Sequence, residues 1–223
     1  MRTGSCGGHP CAGVVPMSDQ ALRIMKLGGS LLNRPEWPAS LTRWLEAQPM
    51  MRNILLVGGG LAADAVRAFD KAHLLDPLVS HRAAVEALGL SLHMAAAVLP
   101  QAHIITSLDA PEGNFSPHSL KLFDVRLFMQ REENRMEVDR LPHDWSATSD
   151  SIAARIAQVY GVNHLVLLKS ALPADCNDWE TAARSGLVDS HFPRAIRGIP
   201  DARCVNLADP EFSEWRPVPV QQA

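Results

Sequence analysis

Residues 53–60 read Asn-Ile-Leu-Leu-Val-Gly-Gly-Gly. A strand with one wet face alternates apolar and polar residues. The run from Asn53 to Val57 does not alternate, so it predicts a strand buried on both faces. Three glycines end it, and residues 61–73 follow with helical spacing. The same grammar recurs on either side. Upstream, 22–30 (LRIMKLGGS) is a short apolar strand that stops at two glycines. Downstream, 164–170 (HLVLLKS) is an apolar strand that stops at a lysine, and 203–207 (RCVNL) is a plausible last strand.

Between these runs lie helices. Residues 37–48 have helical spacing, and Asp76-Pro77 opens a helical stretch reaching Leu99-Pro100. Residues 146–161 form a helix that Thr148 or Ser149 can cap, with Ile152, Ile156 and Val159 on one face and Gly161 at its end. Trp179 to Ser185 is a shorter candidate. Residues 103–106 suggest a short strand, and 120–129 (LKLFDVRLFM) look strand-like, in two short pieces. Residues 109–117 have turn composition. The charge run 131–140 reads either as a solvated surface or as a mobile lid carrying arginines. The tail after Glu214, with its prolines, reads as irregular. Strands alternating with helices predict an α/β fold with a mostly parallel sheet covered on both faces. In such sheets ligands bind beyond the carboxyl ends of the strands. The glycine clusters sit there.

The chain of 223 residues can bury roughly 70–75% of its unfolded surface, so it needs no disulfide or metal to fold. Residues 1–20, rich in Gly, Pro, Cys and Ser, are expected to be disordered, with 21–223 as one domain; Met17 is a possible true start. Net charge is −3 and no lysine block exists, which argues against nucleic-acid or anionic-membrane binding. The longest apolar stretch, 83–100, is interrupted and short of a membrane span, and no signal peptide is evident, so a cytoplasmic location is expected. Cys6, Cys11, Cys176 and Cys204 show no paired or zinc spacing and read as free thiols in a reducing compartment. No metal site is expected from the scattered histidines.

Only four lysines occur: Lys26, Lys71, Lys121 and Lys169. Two of them stand at the carboxyl ends of apolar strands. Lys26-Leu27-Gly28-Gly29-Ser30 suits an anion, because glycines let backbone N–H groups approach and the lysine adds charge. The plainer alternative is a strand ending in a turn. Gly58-x-Gly60-x-x-Ala63 can be read as a dinucleotide fingerprint, but its expected ribose-binding acid, Asp76, opens a helix instead. Asp150 falls in the first turn of a helix, where an acid is stabilising without any function. Lys169-Ser170 could be an exposed strand end or part of a site. Asp64 and Arg67 could form a surface ion pair, or Arg67 could grip an anion.

In order, these four pieces resemble the amino acid kinase superfamily, which includes aspartate, acetylglutamate and uridylate kinases. The correspondence runs from K-x-G-G-S at Lys26 to Ser30, through G-G-G at Gly58 to Gly60 and the helix start at Asp150, to Leu168-Lys169-Ser170. Gly58 to Arg67, Asp144 to Ala154 and Gly186 to Asp189 further resemble the branch of archaeal-type aminomethylfuran-methyl phosphate kinases of methanofuran synthesis and their bacterial homologues in one-carbon metabolism. The resemblance implies a three-layer αβα sandwich and an ATP- and Mg2+-dependent phosphotransferase. Its acceptor is a small-molecule phosphate or carboxylate, and the assembly is a homo-oligomer. It makes Lys26, Asp150 and Lys169 catalytic, with Asp150 orienting Lys26. It gives Gly28, Gly29, Ser30, Lys169 and Ser170 to the nucleotide, and Gly58, Gly59, Gly60, Asp64 and Arg67 to the acceptor.

One departure stands out. Many relatives carry a late G-G-M-x-x-K segment, whereas Ser185-Gly186-Leu187-Val188-Asp189 brings no lysine. Three readings stay open: magnesium and Lys169 suffice, an arginine such as Arg194 or Arg197 substitutes, or catalysis is weak or lost. Two other function classes are carried forward: an NAD(P)-dependent oxidoreductase using the Gly58–Gly60 loop, and a non-catalytic nucleotide or metabolite binder.

Overall fold

The computed structural model describes residues 21–108, 119–133, 140–173 and 175–217. The expectations for residues 1–20, for Cys6 and Cys11, for 109–117 and for 134–139 lie outside them.

Strand β1 (Leu22–Leu27) occupies the middle of the sheet. It pairs in parallel with β2 (Arg52–Val57) on one side and β5 (His164–Lys169) on the other. Beyond these lie β3 (His103–Ile105), β4 (Leu120–Phe123), β6 (Asp201–Asn206) and β7 (Glu214–Trp215), giving the order β3-β4-β2-β1-β5-β6-β7. Every pairing is parallel except β6 with the two-residue β7. In β1, β2 and β5 each residue after the first is buried.

Neighbouring side chains on a strand point to opposite faces, and here both faces are dry. Ile24, Ile54, Leu56, Leu165, Leu167 and Cys204 pack on one side, against α4 (Val125–Glu133), α5 (Ser149–Val159), α6 (Trp179–Arg184) and α7 (Phe192–Ala195). Met25, Leu27, Leu55, Val57, Val166 and Leu168 pack on the other, against α1 (Trp37–Glu46). Helix α3 (Pro77–Val98) serves both clusters, with Val85 and Leu88 in the first and Leu92 and Ala95 in the second, joined there by Leu99 just past its end. This is the expected αβα sandwich. Each fully buried aliphatic chain contributes roughly 1.5–3 kcal/mol.

Asp76 accepts the N–H groups of Leu78 (2.9 Å) and Val79 (3.4 Å), and Pro77 fits the first turn, so α3 begins where the sequence said. Helix α2 (Gly60–His73) differs in kind, because none of its residues is buried. No helix among the described residues is long and apolar enough to cross a membrane.

Several local expectations need correction. Residues 120–129 are not two strand pieces: β4 ends at Phe123, Asp124 accepts from the Arg126 N–H at 3.0 Å, and α4 begins. An acid one residue before a helix diverts the chain, and apolar content alone does not reveal that. Residues 131–133 continue α4. Neither Thr148 nor Ser149 caps α5 with its own side chain; Thr148 holds the cap position without a capping bond. Val159 is 36% exposed, and α5 is buried all along from Asp150 to Ala157 rather than on one stripe. At the start of the tail Glu214–Trp215 forms β7 while residues 216–217 have no regular structure, and α7 went unforeseen.

Cys204 lies on β6 in the first core cluster, fully buried, and burial pushes its thiol up to about 12. A thiolate is the reactive form, so this cysteine should be inert while the chain is folded. Peptide mapping after brief alkylation at pH 8 should find Cys176 labelled and Cys204 untouched until denaturant is added. Labelling of both at equal rates would contradict the packing.

Candidate functional site

Parallel register delivers three loops to one edge. Lys26 lies opposite Leu56 and Leu167, and Leu27 opposite Val57 and Leu168. The loops after β1, β2 and β5 therefore emerge side by side. Gly28 N–H still bonds to Leu168 O (2.8 Å) and Gly58 N–H to Leu27 O (2.9 Å), so each loop continues the ladder by one residue before turning away. A short 3-10 turn, Gly29–Leu31, follows β1.

The first two loops then touch backbone to backbone. A Cβ on Gly29 would sit 2.5 Å from Gly60 N and 2.7 Å from Gly60 Cα, which no side chain tolerates. Gly60 itself has φ +50°, a conformation that favours glycine. Ser91 of α3 donates to Gly59 O at 2.8 Å and anchors the second loop from below.

Beside the loops three buried charges meet. Lys26 Nζ lies 2.9 Å from Asp150 Oδ1. Lys169 Nζ donates to both Asp150 oxygens, at 3.0 and 2.8 Å, and to Leu187 O at 2.6 Å. Lys26, Asp150 and Lys169 are only 5%, 4% and 9% exposed. Burial pushes the Asp150 carboxyl up, but the charges of Lys169 and Lys26 outweigh it and hold the group at about 2. Burial also lowers the Lys26 ammonium below the ordinary lysine value; Asp150 opposes that shift and Lys169 reinforces it. Asp150 sits in the first turn of α5, so the helix dipole adds to its stabilisation as an anion.

Two cavities open at these loops; of the three charged residues Lys26 and Lys169 line the larger one, and Asp150 lines neither. The larger, about 750 Å³, is lined by Lys26, Gly28, Gly29, Ser30, Lys169 and Ser170, and further out by residues from Ala171 to Leu187. The other, about 380 Å³, lies under α2 and is lined by Gly29, Ser30, Gly59, Gly60, Asp64 and Arg67, with walls from α3 and from 144–152. Gly29 and Ser30 line both, so the cavities adjoin there. Ser30 and Ser170 share a hydroxyl hydrogen bond of 2.8 Å across the loops.

The sequence-based site residues fall into place unevenly. Lys26, Gly28, Gly29, Ser30, Lys169 and Ser170 share the large cavity; Gly59, Gly60, Asp64 and Arg67 share the small one. Gly58 lines neither. Its N–H is committed to Leu27 O, and its Cα faces Gly29 N and the Lys26 chain. Arg194 and Arg197 also line neither cavity, whereas Arg184, not singled out from sequence, lines the large one. Asp64 and Arg67 do form an ion pair at 2.9 Å, and they line the cavity as well. His143 stacks on His81, ring centroids 4.7 Å apart.

Sequence reasoning missed a second set in the small cavity. Asp70 accepts from Trp145 Nε1 (2.6 Å) and Ser80 Oγ (2.7 Å), and these bonds, led by Trp145, hold its carboxyl below the usual range. The Arg67 guanidinium lies 4.5 Å from the centre of the Trp145 ring. Asp70 and Trp145 are 75 positions apart, so no local pattern could pair them. Among the described residues no group of three His, Cys, Asp or Glu side chains is placed to hold a metal.

No protein-family model matches the chain, and no curated protein matches it in sequence. Solved structures do. UMP kinase from Ureaplasma parvum is 11% identical, with 86% of this chain and 92% of that one covered and a TM-score of 0.54. Aspartate kinase from Synechocystis is 13% identical, with 91% of this chain but 41% of that one covered and a TM-score of 0.53. Uridylate kinase from Archaeoglobus fulgidus is 12% identical, with 82% and 88% covered and a TM-score of 0.50. At such identities the likeness is one of architecture: the chain has the mostly parallel αβα fold that uridylate and aspartate kinases share.

Proposed function

We propose that the protein is an ATP-dependent phosphotransferase acting on a small molecule. The observation that carries this reading is the Lys26–Asp150–Lys169 bridge, whose two lysines line a large cavity that adjoins a smaller one at Gly29 and Ser30. Two cavities suit two substrates, and the bridge supplies what transfer between them needs. Phosphoryl transfer passes through a loose transition state, so alignment and charge neutralisation dominate.

The large cavity suits the nucleotide. Its two lysines and the glycine turn face a polyphosphate, and Arg184 adds a cation further out. Magnesium, when bound, would neutralise charge on the triphosphate, as it commonly does through the phosphate oxygens themselves. Lys26 and Lys169 orient the γ-phosphoryl group, and Asp150 holds both ammonium groups in place. The γ-phosphorus forms its new bond to an acceptor oxygen as its bond to the ADP oxygen breaks. An acceptor phosphate or carboxylate is already ionised, so no side chain has to remove a proton.

The small cavity supports a finer reading. Three carboxylates, Asp64, Asp70 and Asp144, and one arginine, Arg67, line it together with largely apolar walls that include Trp145. An acceptor with an anionic end near the glycine loops and an ammonium at the far end matches that distribution. An aminomethylfuran-methyl phosphate has this chemistry, and we extend the proposal to it. The oxidoreductase alternative lacks support at its key position, because Asp76 is spent capping α3.

Calorimetric titration with Mg-ATP, with NADH as the control, tests the class; ADP release with phosphorylated acceptors tests the reaction. Binding of NADH alone would overturn the proposal, and tight Mg-ATP binding without ADP release from any acceptor would favour a non-catalytic binder. In the active protein, Lys26→Ala should cost at least about 100-fold in turnover, the scale of one lost preorganised charge contact. Arg67→Ala should raise KM for a phosphorylated acceptor about tenfold, the worth of one charge-assisted hydrogen bond, and leave KM for ATP alone.

The pH profile supplies a third test. Lys26 acts as an ammonium, and its lowered pKa means the proton leaves as pH rises toward, but before reaching, the ordinary lysine range. Turnover should therefore fall on the alkaline side at a pH below that of a free lysine. A plateau extending through the ordinary lysine range would remove Lys26 from the mechanism.

A further inference from the structure

The segment that lacks the late lysine is not idle. Asp189, half-buried at its end, accepts hydrogen bonds from five groups. Thr148 gives its N–H and its hydroxyl, both at 2.8 Å; Ser151 gives its N–H at 3.0 Å and its hydroxyl; Phe192 gives its N–H at 2.9 Å. Thr148 and Ser151 flank Asp150 in the first turn of α5. The capping that Thr148 does not provide for α5 comes from 41 positions further along the chain. Two residues earlier, Leu187 O receives the Lys169 ammonium. The same loop thus grips one lysine directly and grips the helix that carries the carboxylate between both lysines.

We propose that Asp189 is a positioning residue for the transfer: by clamping Thr148 and Ser151 it fixes Asp150, and through Asp150 the separation and charge of Lys26 and Lys169. In place of a third phosphate-facing lysine, this segment holds rigid the two that exist. The catalytic part of this inference rests on the kinase reading; the coupling of Asp189 to the lysines does not. Several independent contacts point the same way. The carboxylate satisfies N–H groups at the start of two helices, α5 and α7, so its loss moves more than one element. Lys26 feels Asp150 and Lys169 as immediate neighbours and Asp189 as a further negative charge. Positioning of this kind is steep, since displacements near 1 Å cost about 100-fold in rate.

The test is Asp189→Asn, which keeps the shape and one acceptor oxygen but removes the charge and presents an amide N–H to donors. With only four lysines in the chain, isotope-labelled lysine side chains can be followed individually by NMR titration, without substrate. The titrations of Lys26 and Lys169 should move, Lys26 to lower pH, while Lys71 and Lys121 stay put. Turnover should fall about 10- to 100-fold with KM for ATP changed less than about threefold. In an Asp150→Asn background the same substitution should cost no more than about twofold, because the group it acts through is gone.

Unchanged titrations of Lys26 and Lys169 in the folded variant overturn the proposal, whether or not the protein turns over ATP. A lower melting temperature with unchanged turnover per folded molecule also overturns it, by reducing Asp189 to a helix cap. If Asp189→Asn does not fold, Ser151→Ala removes one strut with the carboxylate intact; a shift of Lys26 in the same direction supports the proposal, and none contradicts it. Shifted titrations without ADP release from any acceptor would count against the kinase reading while leaving the coupling standing.

Discussion

Two ammonium groups share one carboxylate in a space nearly stripped of water, and the surrounding architecture can be understood as the means of keeping them there. Each ion alone would be expensive to bury, and Asp150 is what makes both lysines tolerable. The trio still carries an excess positive charge at low local dielectric. Such a charge is useful only if it faces a place where an anion can sit. It lies at the carboxyl edge of the sheet, against a cavity floored by the glycine turn.

The parallel sheet follows from this need. Lys26 and Lys169 come from adjacent strands, β1 and β5, two residues out of step in the register, so both side chains leave the same face of the sheet and two like charges arrive together. The intervening acid cannot come from the sheet, whose edge is already occupied, and is lowered in from α5. A crossover helix placed over one face can start near the strand ends, and there its dipole favours an acid. The two glycine loops must also approach each other closely, and contact at Gly29 and Gly60 leaves no room for a side chain.

How much of this could be read beforehand depended on range in sequence. The strands around Lys26, Gly58 and Lys169 were legible because strands buried on both faces are written as continuous apolar runs. Asp150 was legible as an acid in a helical first turn, though the physics of that position does not distinguish a bridge from a dipole effect. The clamp by Asp189 was not legible, since its partners lie 38 and 41 residues away and an aspartate near a glycine signals a turn. The Asp70–Trp145 bond is hidden for the same reason. Residues 120–129 misled because a short apolar strand and an apolar helix start look alike until the acid between them is seen as a cap. Gly58 misled differently: a run of three glycines invites one role for all, yet the first is still part of the ladder.

Helix α2 buries none of its side chains, although it roofs the small cavity. Exposed helix positions change stability little when substituted, typically within about 0.5 kcal/mol. Apart from Gly60, which packs on Gly29, and Asp70, which holds Trp145 and Ser80, the roof can thus be rewritten residue by residue while the sheet and the buried charges stay fixed. On the proposed reading, a lineage built on this scaffold can change what the small cavity admits without disturbing the buried charges, and divergence should collect on one helix.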